Sequence, residues 1–165
     1  MANATIQIHE MTGTATGLDK TSGTVRFKSA DETTVDTNNK VQVPGAGTTY
    51  SYNKQLRFYI AGMGTSSTIE NLQAYTDGSN DMGTGVDVYY NVSGSHVTHT
   101  DATIGTTDLF TATTASPIDM DATNTAAGTG TGYLGDFLEM QLAVGTTAGP
   151  GQTGQETVTF SYDES

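Results

Sequence analysis

In the stretch LRFYIA, residues 56–61, the large apolar side chains of Leu56, Phe58 and Ile60 occupy every second position. Successive side chains of a β-strand point to opposite faces, whereas an amphipathic helix repeats its apolar residues three and four positions apart. This stretch therefore predicts a strand with one face in a core.

The same period of two recurs along the chain, and no helical period is convincing. We predict eight strands, around Ile6 and Ile8, Val25 and Phe27, Val41 and Val43, residues 56–60, residues 72–74, residues 86–90, residues 137–144, and Val158 to Tyr162. Residues 102–104 and 108–113 are candidates for two more. The expected core is Ile6, Ile8, Val25, Phe27, Leu56, Phe58, Ile60, Val86, Val88, Leu138, Leu142, Val158 and Phe160.

Clusters of Gly, Thr, Ser, Asn and Asp separate these runs at fairly regular spacing, which is typical of a sandwich or barrel. We predict an all-β fold, an antiparallel β-sandwich of jelly-roll type with little or no helix. One domain is expected over residues 1–165, with residues 113–132 as a long loop rich in Thr, Ala and Gly.

Composition agrees with a sheet protein. Hydrophobic residues make up 35%, below the usual ~45–50%, but charged residues make up only 15%. The chain therefore lacks the high-charge profile of disorder, and its β-branched threonines suit a half-exposed sheet. It has no Cys, which excludes disulfides and thiolate metal sites.

The N-terminal residues MANATIQIHEM have neither a basic nor an apolar region of the kind found in signal peptides. No stretch approaches the ~18–20 apolar residues that span a bilayer. We therefore expect synthesis in a cytoplasm and no membrane partner.

The net charge of −12 is unevenly distributed. All six basic residues lie within residues 20–57, whereas residues 58–165 carry thirteen acidic residues and no Lys or Arg. Such a surface repels phosphate backbones and anionic lipids, which argues against nucleic-acid and membrane binding. It is typical of simple solubility by self-repulsion, or of a subunit that docks through its near-neutral part.

Nothing in the sequence singles out a catalytic site. The segment SGSHVTHTD would allow Ser95, His99 and Asp101 to form a nucleophilic arrangement beside His96, but the nucleophile-elbow motif is absent. The eighteen acidic residues give no distinguished pair for glycoside hydrolysis. We predict no catalytic residue, no enzyme activity and no cofactor.

A hard cation has one weak candidate site. Asp77, Asn80 and Asp81 gather oxygen ligands on one turn, as Ca²⁺ prefers, although the spacing is not that of an EF-hand loop. Asx and Gly residues also build ordinary tight turns, so we predict no metal there.

Several stretches together resemble a family of small β-rich virion structural proteins of tailed bacteriophages. They are MANATIQIHEMTGT (1–14), TVRFKSADETTVDTNNKVQVP (24–44), YSYNKQLRFYIAGMGTSSTIENLQAYTDGS (50–79), GTGVDVYYNVSG (83–94) and ETVTFSYDES (156–165). The resemblance covers about residues 1–95 and the C-terminal strand, and it carries no catalytic motif. It implies a structural role in the virion.

The expected role is a capsid decoration (cement) protein on the outer capsid surface, made in the host cytoplasm. Its partners would be the major capsid protein and further copies of itself, as a trimer or another small ring. Arg26, Lys28, Lys54 and Arg57 are the expected charged contacts, and Thr5, Ile6, Gln7 and Ile8 the expected edge strand. The alternatives are a neck or tail component, or a carbohydrate- or receptor-binding module.

Overall fold

The computed structural model describes residues 3–125, 127–151 and 154–165, and this part of the chain contains ten β-strands. They are β1 (Thr5–Met11), β2 (Gly17–Asp19), β3 (Thr48–Tyr50), β4 (Lys54–Gly62), β5 (Ile69–Tyr75), β6 (Val86–Ser93), β7 (Thr107–Asp108), β8 (Ile118–Asp119), β9 (Gly132–Gly145) and β10 (Thr159–Glu164). One short 3-10 turn, Leu109–Thr111, is the only helical element among the described residues. None of the helical structure in these ranges has the length or apolar character needed to cross a membrane.

Seven strands form the larger sheet, in the order β2-β1-β4-β9-β6-β7, with β3 paired to the end of β9. All of its pairings are antiparallel. Leu56 of β4 lies opposite Leu138 of β9, and Val88 of β6 lies opposite Leu142. The alternating apolar residues of neighbouring strands therefore meet on one face, which is the core face.

The smaller sheet has three strands in the order β10-β5-β8. Its residues Leu72 and Ala74 are completely buried in the same cluster as Phe58 and Leu138 of the larger sheet. The ring of Phe58 meets that of Phe160 of β10 edge to face, with 5.5 Å between the centroids. The two sheets thus pack as the layers of a sandwich-like core.

The central strand β9 contains an irregularity that the fold needs. Its pairing with β4 shifts between Leu56 and Phe58, where Gly135 has a φ of +70°. A Cβ at Gly135 would stand 2.5 Å from both the Leu72 side chain and the Met120 carbonyl oxygen. Glycine is required here because the backbone is left-handed and the neighbouring atoms leave no room.

The prediction of an all-β, antiparallel fold with at least eight strands is confirmed. The jelly-roll type stays a prediction. Seven expected core residues are buried, namely Ile8, Leu56, Phe58, Ile60, Val86, Val88 and Leu138. The other six, Ile6, Val25, Phe27, Leu142, Val158 and Phe160, are partly buried and pack against the core.

Two predicted strands are wrong. Residues 25–27 and 41–43 alternate as strands do, but both lie in an irregular segment from Lys20 to Gly47 that contains no strand. A strand requires a neighbour for its backbone hydrogen bonds, and no neighbouring strand pairs with these residues. Of the two further candidates, residues 102–104 form no strand, and residues 108–113 contain the end of β7 and the 3-10 turn.

Residues 113–132, expected to be one long loop, are more ordered than that. They contain β8, which pairs with β5, and Gly128 forms a bridge with Ile69. Met120 is completely buried. The expectation of a loop is therefore wrong for the part that completes the smaller sheet, while Ala126 lies outside the described residues.

Candidate interaction surfaces

Two of the four predicted docking cations are interior residues. Only 1% of Lys28 is exposed, and its ammonium nitrogen lies 2.7 Å from a carboxylate oxygen of Glu32 and 2.6 Å from one of Asp36. The hydrogen bond from Lys28 is the main cause that holds the pKa of both carboxyl groups below its ordinary value. The prediction that Lys28 contacts a partner is wrong, because its charge is already neutralised inside the chain.

Lys54 is likewise buried, and its partner is Glu10, which is completely buried. The ammonium nitrogen of Lys54 lies 3.0 Å from one oxygen of Glu10, and that of Lys20 lies 3.4 Å from the other. Neither contact has hydrogen-bond geometry, so the attraction is that of neighbouring charges. Lys54 also donates to the backbone carbonyl of Glu32. Lys54 is therefore a structural residue, and its assignment as a partner contact is also wrong.

These lysines explain how a long segment without strands stays in place. Lys20 donates to the carbonyl oxygens of Thr24 and Thr33, at 3.2 and 3.3 Å. Lys28 donates to the side-chain carboxylate of Glu32, and Lys54 donates to the backbone carbonyl of the same residue. Charged donors give the stronger class of hydrogen bond, which replaces the missing backbone ladder in residues 20–47. Three of the basic residues in the first third of the chain thus stabilise the irregular segment 20–47.

The remaining two predicted cations do not share a surface. Arg57 is half-buried; it donates from Nε to the Gly135 carbonyl at 2.9 Å, and its guanidinium lies 4.4 Å from the ring centroid of Phe137. Arg26 is partly exposed and lines an apolar cavity. The structure therefore does not bring the four predicted contacts together.

Glu10 was missed from the sequence, although a signal was present. It shares the parity of Ile6 and Ile8 in β1, and Lys54 shares the parity of Leu56 and Phe58 in β4. A residue that continues the inward-facing alternation is predicted to face inward, whatever its charge. Opposite charges in that position on adjacent strands indicate a buried ion pair.

The predicted edge strand is only partly an edge. β1 pairs with β4 along its whole length, but β2 covers only His9, Glu10 and Met11 on the other side. Ile8 is occupied there as well, since its N–H binds the Thr21 hydroxyl and its carbonyl accepts from the Lys20 N–H. By alternation the N–H and C=O of Ile6 point to the same side, where no described strand pairs with them.

A second open edge belongs to β10, which is an outer strand of the smaller sheet. Leu72 of β5, and Thr76 directly after the strand, direct their backbone groups away from β10, to Met120 and Ala112. Ala74 lies between them with the same parity and faces Phe160 in the β5–β10 register. The N–H and C=O of Phe160 therefore point outward, away from β5.

An apolar seam lies between these two edges. A cavity of about 220 Å³ is lined by Ile6 and Ile8 of β1 and by Phe160 and Tyr162 of β10. A larger cavity of about 590 Å³ continues from it beneath β6 and β9, and it shares Ile8 and Phe160 with the smaller one. One end of the seam is closed by a 3.1 Å hydrogen bond from the Ala4 N–H to the Glu164 carboxylate.

The histidines of residues 94–106 do not form the arrangement that the sequence allowed. His99 is buried, and its Nδ1 lies 2.7 Å from Asp31, whereas Asp101 is exposed. The rings of His96 and His99 lie 5.6 Å apart, centroid to centroid. His99 is thus paired with Asp31, and it serves to hold residues 94–106 against the segment that carries Asp31.

In the candidate cation turn, Asp77 and Asn80 use a side-chain oxygen locally. Asp77 accepts the Ser79 N–H at 2.8 Å, and Asn80 accepts the Met82 N–H at 3.0 Å while donating to the Val86 carbonyl. Within residues 3–125, 127–151 and 154–165, no three His, Cys, Asp or Glu side chains are grouped as metal ligands. Asp77, Asn80 and Asp81 are placed as a turn that supports the start of β6.

Asp136 is a structural residue that the sequence did not single out. It is completely buried in the β9 bulge, and its two oxygens accept the N–H groups of Thr123 and Asn124, both at 2.8 Å. No local pattern distinguishes it among the chain's acidic residues, because its partners lie twelve and thirteen positions away.

A partly exposed aromatic cluster lies on the other face of the larger sheet. His9 stacks on Tyr59 with 4.5 Å between ring centroids, and its Nδ1 lies 3.2 Å from the hydroxyl of Tyr133, which is 39% exposed. Burial is the main cause that lowers the pKa of His9 below its ordinary value. A side chain at Gly17 would collide with the Tyr133 hydroxyl.

Comparison of the chain with protein-family models, curated proteins and solved structures found no match.

Proposed function

We propose that this chain is a structural protein of a tailed-phage virion, and specifically a capsid decoration protein that binds the assembled major capsid protein. The resemblance of residues 1–95 and of the C-terminal strand to such virion proteins supports this role. An antiparallel sandwich of two packed sheets suits a rigid building block.

The observation that carries the proposal is the open seam between β1 and β10. Backbone groups of Ile6 and Phe160 that pair with no strand among the described residues border the apolar seam, which is the arrangement that strand addition by a neighbouring chain uses. Each contact is modest, and many equivalent sites on a shell supply the strength of attachment. A trimer or another small ring of this protein fits the closed symmetry usual for oligomers.

The acidic exterior gives the subunit a defined charge preference. Three of the six basic residues, Lys20, Lys28 and Lys54, are paired with carboxylates inside the chain. The net charge of −12 is therefore carried mainly by exposed acidic groups. A partner surface with Lys or Arg would be attracted, and the attraction would be screened by salt.

The test is binding of the purified protein to capsids assembled without it. A decoration protein saturates sites over the whole shell, and its bound copy number scales with the number of capsomers. Binding of a single ring per particle would instead support the neck or tail alternative. Absence of binding to mature and immature shells would contradict both roles.

A receptor- or carbohydrate-binding role is the second candidate, and the aromatic cluster is the observation that favours it. Tyr133 exposes part of its ring beside His9 and Arg57, a combination of apolar surface and hydrogen-bonding groups that suits a sugar. Glycan-array binding that disappears in Tyr133→Ala would support this role, and an array without binding would contradict it.

A further inference from the structure

The two sheets of the sandwich do not match in width, which leaves part of the larger sheet without a facing strand. Seven strands stand against three. Val86, Val88 and Val144 on the core face of β6 and β9 line the larger cavity, whose opposite wall is irregular chain that includes Val25 and Val41. The cavity, of about 590 Å³, is open to the surface, so it offers room for a further segment of chain.

The position of that element is defined by the edge of β10. A strand added beside β10 would extend the smaller sheet towards the larger cavity beneath β6 and β9. Its backbone would form hydrogen bonds with the outward N–H and C=O of Phe160. The N–H and C=O of Ile6 lie on the opposite side of the seam. The alternate side chains of the added strand would enter the cavities lined by Val158 and Phe160.

The charges near the seam select the kind of chain that fits. Glu156 lines the larger cavity, and Glu164 stands at the closed end beside the exposed Asp163. A second copy of this chain brings few available cations. Lys20, Lys28 and Lys54 are held in ion pairs, and the half-buried Arg57 donates a hydrogen bond to Gly135. Among the described residues, only Arg26 and Lys40 have neither an ion pair nor a side-chain hydrogen bond. A strand with flanking Lys or Arg would be attracted instead.

We propose that the seam between β1 and β10 binds an extended segment of a different protein, which has apolar residues at alternate positions and basic residues at its ends. The segment completes the smaller sheet as a fourth strand. That the donor is a virion protein rests on the proposed function, whereas strand binding by the seam does not.

The test uses a capped synthetic peptide, Lys-Val-Thr-Val-Thr-Val-Lys, with the intact protein, and amide NMR spectra as the readout. The peptide is expected to slow hydrogen exchange of the Phe160 amide by about tenfold or more at saturation, because that amide becomes hydrogen-bonded. A peptide of the same composition without alternation, Lys-Val-Val-Val-Thr-Thr-Lys, is the control and is expected to leave the exchange unchanged.

Charge reversal tests the choice of partner. Glu156→Lys combined with Glu164→Lys is expected to weaken binding of the basic peptide by about tenfold, the size expected for two partly exposed charge contacts. Asp87→Lys combined with Asp101→Lys, at two exposed positions, is the matched control and should retain affinity. Melting curves verify that all variants are folded.

Three outcomes would overturn the inference. They are equal binding of both peptides, binding without protection of Phe160, and protection of Phe160 that rises with protein concentration alone, which would identify a second copy as the occupant. Capsid attachment that leaves Phe160 unprotected would overturn the inference but not the decoration role. Peptide binding by a protein that ignores capsids would contradict the role and leave the inference intact.

Discussion

Glu10 and Lys54 face each other inside the sandwich, with a carboxylate oxygen 3.0 Å from the ammonium nitrogen and at most 1% of either residue exposed. They occupy neighbouring strands of the larger sheet at positions where the alternation would otherwise place apolar residues. Lys54 also reaches the backbone at Glu32, so the pair connects the sheet to the segment that has no strands.

Removal of one member of this pair is expected to be costly. Glu10→Gln leaves the Lys54 charge buried without its counterion and should lower the free energy of unfolding by about 3–5 kcal/mol. The double variant Glu10→Leu with Lys54→Met should cost less than the sum of Glu10→Leu alone and Lys54→Met alone, since neither charge is then left without its partner. Urea unfolding measures both, with the exposed Glu70→Gln as control. Additive effects would show that the two groups are not coupled.

Lys28 is expected to determine part of the acid sensitivity of the fold. The folded-state pKa values of Glu32 and Asp36 are lowered, first of all by the hydrogen bond from Lys28. Their contribution to stability is therefore complete above the ordinary carboxyl pKa and is lost as the pH falls through the lowered values. Melting temperatures of Lys28→Met should be lower at neutral pH and should fall less on acidification than those of the wild type. Lys40→Met, an exposed lysine, should show the wild-type slope.

Phe58 joins the two sheets, since it belongs to β4 and meets Phe160 of β10. It is 1% exposed, so Phe58→Ala should lower the free energy of unfolding by about 3–5 kcal/mol. Val35→Ala, at a position 49% exposed, should change it by less than about 0.5 kcal/mol. Denaturant titration compares the two, and a small effect at Phe58 would mean that this side chain is not in the core.

Asp136 is expected to hold residues 123 and 124 against β9. Asp136→Ala removes a buried carboxylate acceptor from the N–H groups of Thr123 and Asn124 and should cost about 1.5–3 kcal/mol. Faster hydrogen exchange should appear first at the amides of Thr123 and Asn124. The exposed Asp101→Ala is the control. Unchanged exchange at both amides in Asp136→Ala would contradict this role.

The turn at Asp77 is expected to hold no tightly bound ion, because Asp77 and Asn80 each use a side-chain oxygen to accept a backbone N–H within the turn. The melting temperature should be the same with calcium and with a chelator, in the wild type and in Asp77→Ala. A calcium-dependent rise that Asp77→Ala abolishes would contradict this prediction.

The alternation of side chains was enough to predict the class of fold. It also predicted thirteen core residues, of which seven are buried and six are partly buried against the core. A period of two is a local property of the extended backbone, so Leu56, Phe58 and Ile60 show it regardless of what lies opposite them. The buried charges were predictable in principle for the same reason, because Glu10 and Lys54 continue the inward-facing positions. Their charge led to the opposite expectation, that Lys54 lies at a surface.

Only the tertiary structure decided which alternating segments become strands and which edges stay open. Residues 25–27 alternate as clearly as residues 56–60, yet they lie outside every strand because no neighbour supplies their backbone hydrogen bonds. The same holds for the seam, since Ile6 and Phe160 are far apart in the sequence and meet only across the packed sheets. Side-chain direction is set within a few residues, whereas pairing, burial of charge and the position of a cavity depend on contacts between distant parts of the chain.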